Sequence, residues 1–282
     1  MSNGRSTVTV LMIGDLVGRP GRALFSSFIG KLKEKYAPDC VVVNGENAAQ
    51  NGRGITQPIV EFLLRAGADV ITSGNHVFAQ KGFQGAFLGT DRLLRPLNFP
   101  AECPGKGSVI IKTSNGVSIA VVNAQGRIFM HEQTACPFKG IESLLTYLHT
   151  QTKLIFLDFH AETTSEKQGM SYYFDGKITA QVGTHTHVQT ADERILPKGT
   201  AYITDLGCCG ALNSMLGMNT QSVLSRMVTQ LPSKFVVEEN GPFVLHGVCI
   251  VADVATGQAL SIERIRLEDA ALKISQETAG KD

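Results

Sequence analysis

Five stretches of this chain share one pattern: an apolar or β-branched run of strand length that stops at residues able to bind a metal. The runs are "TVTVLMIGD", "DCVVVNGEN", "DVITSGNH", "KLIFLDFHAE" and "ITAQVGTHTH". Short apolar runs bounded by Gly, Asn and Asp read as buried strands. Helical patterns separate the first three. In "GRALFSSFIGKLKEKY", Leu24, Phe28 and Leu32 recur every four residues, with Phe25 and Ile29 beside them, which is an amphipathic period. "TQPIVEFLLRAGA" reads as a helix capped by Thr56 and stopped at Gly67. A β-α-β-α-β start implies a parallel sheet with right-handed crossovers.

The middle adds an antiparallel element. "GSVIIKTSNGVSIAVVNAQ" is two β runs joined at Asn115-Gly116, the dipeptide best suited to a tight hairpin. Helical "IESLLTYLHT" and "TSEKQGMSYYF" then alternate with the fourth and fifth runs, and "TAYITDL" adds a strand before a helix around Gln221–Gln230. "FVLHGVCIVADVATGQALSIERIRL" reads as two long antiparallel strands turning at Thr256-Gly257, and the tail after Leu267 as loose helix or frayed chain. No repeat, linker or low-complexity segment interrupts the pattern, so residues 1–282 read as a single domain. The expected architecture is mixed α/β, with two packed sheets and helices outside.

Composition narrows the function classes. Hydrophobic residues are 43% and charged residues 18%, which supports a large core and argues against disorder. The balance of 26 basic and 25 acidic residues argues against a chain built mainly to grip nucleic acid or a membrane. The apolar run near the start is too short for a signal-peptide core, and no stretch is long enough to span a bilayer. Six cysteines without a C-x-x-C pair suggest reduced thiols and a cytoplasmic location. No P-loop or G-x-S-x-G elbow is present. "CCG" at Cys208–Gly210 is either a reactive thiol or, more commonly for such residues, core packing.

The strand ends carry Asp15, then Glu46 and Asn47, then Asn75 and His76, then His160, then His185 and His187. Ligands of open α/β sheets bind at the carboxyl ends of the strands, so the five ends meet if these strands are parallel neighbours. Each piece alone has an ordinary reading: Asp15 as a helix cap, "GNH" as a turn, His160 as a structural histidine. Together they are carboxylate, amide and imidazole donors suited to iron, manganese or zinc. They exceed the needs of one ion and fit two ions about 3.5–4 Å apart with a bridging carboxylate. His185 and His187 face the same side on a continuing strand, or two different ions in a loop. In the second case Thr186 separates two imidazoles directed apart. His131, His149 and His246 lack companions and read as structural.

These residues resemble the calcineurin-like metallophosphoesterases, and within them the YmdB-like 2′,3′-cyclic-nucleotide phosphodiesterases. The resemblance rests on "IGDLVGRPGR", "VNGENAAQNGRGIT", "ITSGNHVF", "RPLNFP", "DFHAETTSEK" and "VGTHTHVQTADERILPKGTAYITD". It implies a four-layer α/β/β/α sandwich and two divalent or mixed-valence metal ions, iron first, with manganese or zinc as alternatives. By position, Asp15 and His187 would hold one metal with help from Asn47. Asn75, His160 and His185 would hold the other, Glu46 would bridge, and His76 would be the acid that protonates the leaving oxygen. In the wider superfamily a His follows the first Asp by two residues and the bridge is an Asp. Val17 and Glu46 stand there instead, as in this branch. Ala79 replaces an acidic residue usual three positions after the catalytic His, and "CCG" replaces an expected Met- or Thr-containing loop.

The implied function is hydrolysis of 2′,3′-cyclic nucleotides or related small phosphodiesters, with RNA ends as a further substrate class. The implied chemistry uses a metal-activated hydroxide, and the implied state is a homo-oligomer without membrane association. A phosphomonoesterase or nucleotidase is the nearer alternative. A regulatory metal-binding protein with little turnover is the more distant one. Arg19 and Arg127, in expected loops, are candidate phosphate contacts.

Overall fold

The computed structural model describes residues 6–281. The N-terminal part runs β1 (Thr7–Ile13), β2 (Asp15–Leu16), α1 (Gly18–Tyr36), β3 (Cys40–Asn44), α2 (Gln57–Ala66), β4 (Val70–Thr72) and α3 (Phe83–Leu88). The middle runs β5 (Ser108–Lys112), β6 (Ser118–Gln125), α4 (Pro137–Leu148), β7 (Ile155–His160), α5 (Thr164–Tyr173) and β8 (Ala180–Thr184). The last part is β9 (Arg194–Ile195), β10 (Ala201–Ile203), β11 (Cys208–Ala211), α6 (Thr220–Thr229), β12 (Phe243–Asp253), β13 (Ala259–Asp269) and α7 (Gln276–Ala279).

The strands form two sheets. One has the order β2-β11-β12-β1-β3-β4, with β13 on β12, and the other β5-β6-β7-β8-β10-β9. β1, β3 and β4 are parallel, as are β6, β7, β8 and β10. The hairpin at Asn115-Gly116 pairs β5 antiparallel to β6, and the hairpin at Thr256-Gly257 pairs β12 with β13.

Strand alternation sorts the apolar side chains into layers. Val8, Val10 and Met12 of β1 pack between the sheets with Val121, Phe156, Val182 and Ile203 of the second sheet. Leu11 and Ile13, on the opposite face of β1, pack under α1 and α2 against Leu24, Phe25, Phe28, Ile59 and Leu63. Leu157 and Phe159 of β7 pack outward against Ile141, Leu145, Met170 and Phe174 of α4 and α5. Helix, sheet, sheet and helix therefore form four layers, each sheet buried on both faces.

Several sequence expectations need correction. The first helix begins at Gly18 rather than Gly21, because Pro20 fits a first turn without loss. Thr56 takes the cap position of α2 but makes no side-chain cap bond. "CCG" is strand β11 rather than loop, since it pairs with both β2 and β12. The tail after Leu267 is not loose. β13 continues to Asp269, Leu272 and Ile274 pack on the core under α1, and the Ala279 carbonyl accepts from buried Arg22 Nε at 2.5 Å. Among the described residues, no helix is long and apolar enough to cross a membrane.

Candidate metal centre

The five strand ends belong to two sheets rather than to one run of neighbours. β1, β3 and β4 lie in one sheet and β7 and β8 in the other. Their carboxyl ends meet because the sheets pack face to face. Buried Asp158 of β7 ties the sheets together there. It accepts from Asn44 Nδ2 of β3 at 2.9 Å, Thr72 Oγ1 of β4 at 2.5 Å and Thr184 Oγ1 of β8 at 2.7 Å.

Above this network the predicted residues converge. His160 Nε2 lies 3.2 Å from Glu46 Oε2, 3.1 Å from Asn75 Oδ1 and 3.0 Å from His185 Nδ1. One ring nitrogen cannot form hydrogen bonds with three such groups. Donor atoms of Glu46, His160 and His185 lie within 4.8 Å of one another, a spacing suited to a metal ion. A cation at the centre would turn this crowding into coordination.

The histidine tautomers fit the same reading. Thr184 Oγ1 donates to Asp158, so it accepts from His160 Nδ1 at 2.9 Å. That leaves the His160 Nε2 lone pair facing the cluster. His185 donates from Nε2 to Glu162 Oε2 at 3.1 Å, which leaves Nδ1 facing inward. His187 donates from Nδ1 to Leu216 O at 3.0 Å, and its ring also meets the Cys208 side chain. Metal-bound histidines are typically held through the second ring nitrogen in this way.

β8 stops at Thr184, so the two later histidines sit in a loop. His185 has φ 98° and His187 φ 65°, a left-handed region uncommon for non-glycine residues. The loop sends His185 toward His160 and Glu162 and His187 toward Leu216. Asp15 Oδ2 accepts from the His185 backbone N at 3.3 Å, while Asp15 Oδ1 and Asn47 Oδ1 are buried with no hydrogen-bond partner. The orphaned Asp15 oxygen beside the imidazoles fits a cation, since a buried acceptor without a partner is costly.

Burial sets charge against charge within the cluster. Burial raises the Asp15 carboxyl to about 7, although the His187 and His160 rings act the other way. Burial also opposes charge on Glu46 and His160, but their mutual attraction prevails, holding Glu46 at about 2 and His160 at about 9. Burial and the neighbouring His160 push His185 down to about 3.

The remaining predicted residues divide. His76 is half-buried, and its backbone N points to Glu46 Oε2 at 3.3 Å. Burial lowers its pKa, and the charges acting on it are Glu46, Arg53, His160 and Glu132. Glu132 comes from another loop, on the side chain of Gln125 at 3.2 Å. Arg19 lies in α1 rather than a loop and pairs with Glu239 at 3.7 Å. Arg127 gives its backbone N–H to Glu166 at 3.0 Å and is not among the residues gathered here. Burial pushes the Cys209 thiol up to about 12, so it is a packing residue. Glu162 was missed from the sequence, although it stands two residues after His160. The signal was a carboxylate just past a ligand-bearing strand end.

Comparison with known proteins gives the family. Residues 11–265 match the family model described as YmdB-like protein. A 2′,3′-cyclic-nucleotide 2′-phosphodiesterase of Bacillus subtilis is 47% identical over 260 residues, covering 92% of this chain and 97% of the relative. A putative phosphatase/phosphodiesterase of Mycoplasma pneumoniae is 37% identical, covering 93% and 94%. The crystal structure of a novel phosphatase from Mycoplasma pneumoniae superposes with a TM-score of 0.87 at 35% identity, covering 98% of this chain and 97% of that one. On these matches, with the strand-end cluster intact, this chain belongs to the YmdB-like family.

Proposed function

We propose that this protein is a metal-dependent phosphodiesterase acting on 2′,3′-cyclic nucleotides. The observation that carries the reading is the histidine set. His160 and His185 each commit one ring nitrogen to a partner and turn the other toward Glu46, and Asp15, whose Oδ2 takes the His185 N–H, keeps a buried Oδ1 without a partner. The name of the Bacillus subtilis relative supports the substrate class.

Asn75, His160 and His185 would hold one cation, Asp15 and His187 with Asn47 the other, and Glu46 would bridge. Two such cations acidify water and neutralise charge that develops on a phosphate. Iron is the first candidate, then manganese or zinc. Thr184 and Glu162 fix the His160 and His185 rings, so their open nitrogens need no reorganisation. His76, next to Asn75, would give its proton to the departing ribose oxygen. Burial makes its ring a readier donor once an anionic phosphate favours protonation. All six cysteines are free, which supports placing the chain in the cytoplasm.

The test is metal analysis of the purified protein together with turnover of 2′,3′-cyclic AMP, bis-p-nitrophenyl phosphate and a phosphomonoester. Diester turnover with bound metal is expected. His76→Ala should keep the metal and lose turnover by about 100- to 10,000-fold. Bound metal without hydrolysis would favour a regulatory protein, and faster monoester turnover a nucleotidase.

A further inference from the structure

A cavity of ≈ 830 Å³ is lined by Asn51, Gln80 and the stretch from Lys234 to Asn240, and Asn47 Nδ2 donates into the same loop, to the Gly52 carbonyl at 2.9 Å. That size lies within the range of pockets that enclose small organic ligands, about 300–1,000 Å³. Its walls continue the loops of the centre. Asn51 follows Asn47 by four residues, and Gln80 follows His76 by four. Gln80 Nε2 donates to Asn51 Oδ1 at 2.9 Å and also to the Arg53 carbonyl, so the two loops are joined. Val237, another wall residue, packs on Val17, the position where the wider superfamily has a histidine ligand.

The lining describes its ligand. Phe235 offers a half-buried ring, backed by the Arg226 guanidinium 5.5 Å from its centroid. Val236 and Val237 extend the apolar wall. Amides of Asn51, Gln80 and Asn240 supply donors and acceptors at the edges. Thr56 Oγ1, on the same wall, is buried and has no partner. The charged residues are Glu238, Glu239 and Lys234. Glu238 is held by Asn219 Nδ2 at 2.6 Å and Asn240 Nδ2 at 2.8 Å. With Arg19 on Glu239 at 3.7 Å, two carboxylates face two cations, so no cationic excess favours a phosphate here. The fitting group is flat and uncharged, with apolar faces and a hydrogen-bonding edge.

We propose that this cavity receives the nucleobase of the substrate, with the base against Phe235 and the phosphate at the metal centre. The inference rests on the cyclic-nucleotide reading above and adds where selectivity resides. Stacking of a base on an aromatic side chain, converted to affinity, corresponds to about 5- to 150-fold.

The experiment compares 2′,3′-cyclic AMP with base-free glycerol 1,2-cyclic phosphate in the metal-loaded protein, and measures adenosine binding by saturation-transfer NMR. Phe235→Ala should lower the ratio of kcat/KM for cyclic AMP over the base-free diester by about 5- to 150-fold, mainly through KM, and abolish the adenosine signal. Val236→Trp, which fills the mouth from an exposed position, should do the same without hollowing the wall. An unchanged ratio, or adenosine bound by the variants as strongly as by the wild type, overturns the proposal. If the wild type turns over neither diester but its adenosine signal is lost in the variants, the phosphodiesterase reading fails and the cavity assignment stands.

Discussion

Thr186, between the two loop histidines, donates from both its backbone N and its Oγ1 to Asp205 Oδ2, at 3.1 and 2.7 Å. The same carboxylate holds buried Lys167 at 2.7 Å. The sequence suggested a spacer between two imidazoles. The structure makes Thr186 an anchor that fixes a strained loop. Thr186→Val, which keeps its shape and backbone bond, should lower metal affinity by about 10- to 100-fold, read by competition with a chelator. Unchanged affinity would show that the loop holds itself. Gly74 is a position where two candidate ligands leave no room for a side chain. A Cβ there would meet Glu46 Oε2 and His160 Nε2. Gly74→Ala should therefore fold with a normal circular dichroism spectrum and carry less metal by elemental analysis; full metal content would refute the packing argument. Asp15, Glu46, Asn75, His160 and the two loop histidines were legible because each directly follows a strand run. Asp205 was not, because its partner Thr186 lies 19 residues away.

Strand pairing positions the second tier of residues. His246 of β12 bonds the Cys208 carbonyl of β11 through Nδ1 at 2.8 Å and pairs with Arg266 across β13. Burial lowers its pKa below the ordinary 6.5, and the charge of Arg266 acts in the same direction. The unfolded chain then binds the proton more readily, so stability falls as pH drops through 6.5 and levels off below the folded value. His246→Gln should lose less Tm than the wild type between pH 7.5 and 5.5, measured by thermal denaturation. An equal loss would place the acid sensitivity elsewhere. Strands and hairpins were readable from alternation and from Asn-Gly, since both signals are local. β2, β9 and β11 were not, because these short strands lack an apolar run of their own and exist through their neighbours.

Across the whole molecule, the centre joins two sheets whose carboxyl ends meet over Asp158. A bound cation would link them, so chelation should lower Tm. Removing a ligand present at 100 times its Kd forfeits about 2.7 kcal/mol per site, a shift of several degrees for a domain this size. A Tm indifferent to chelation would separate the centre from stability. The sequence by itself determined the strand runs, the amphipathic helices and the donors at the strand ends, because periodicity and adjacency are written along the chain. The tertiary structure decided that those ends divide between two sheets, which ring nitrogens of His160 and His185 turn toward Glu46, and that the loops after β3 and β4 enclose a cavity with Lys234–Asn240. Those features depend on which distant backbones approach within hydrogen-bond range. Packing of both sheet faces sets that approach, and no local pattern records it.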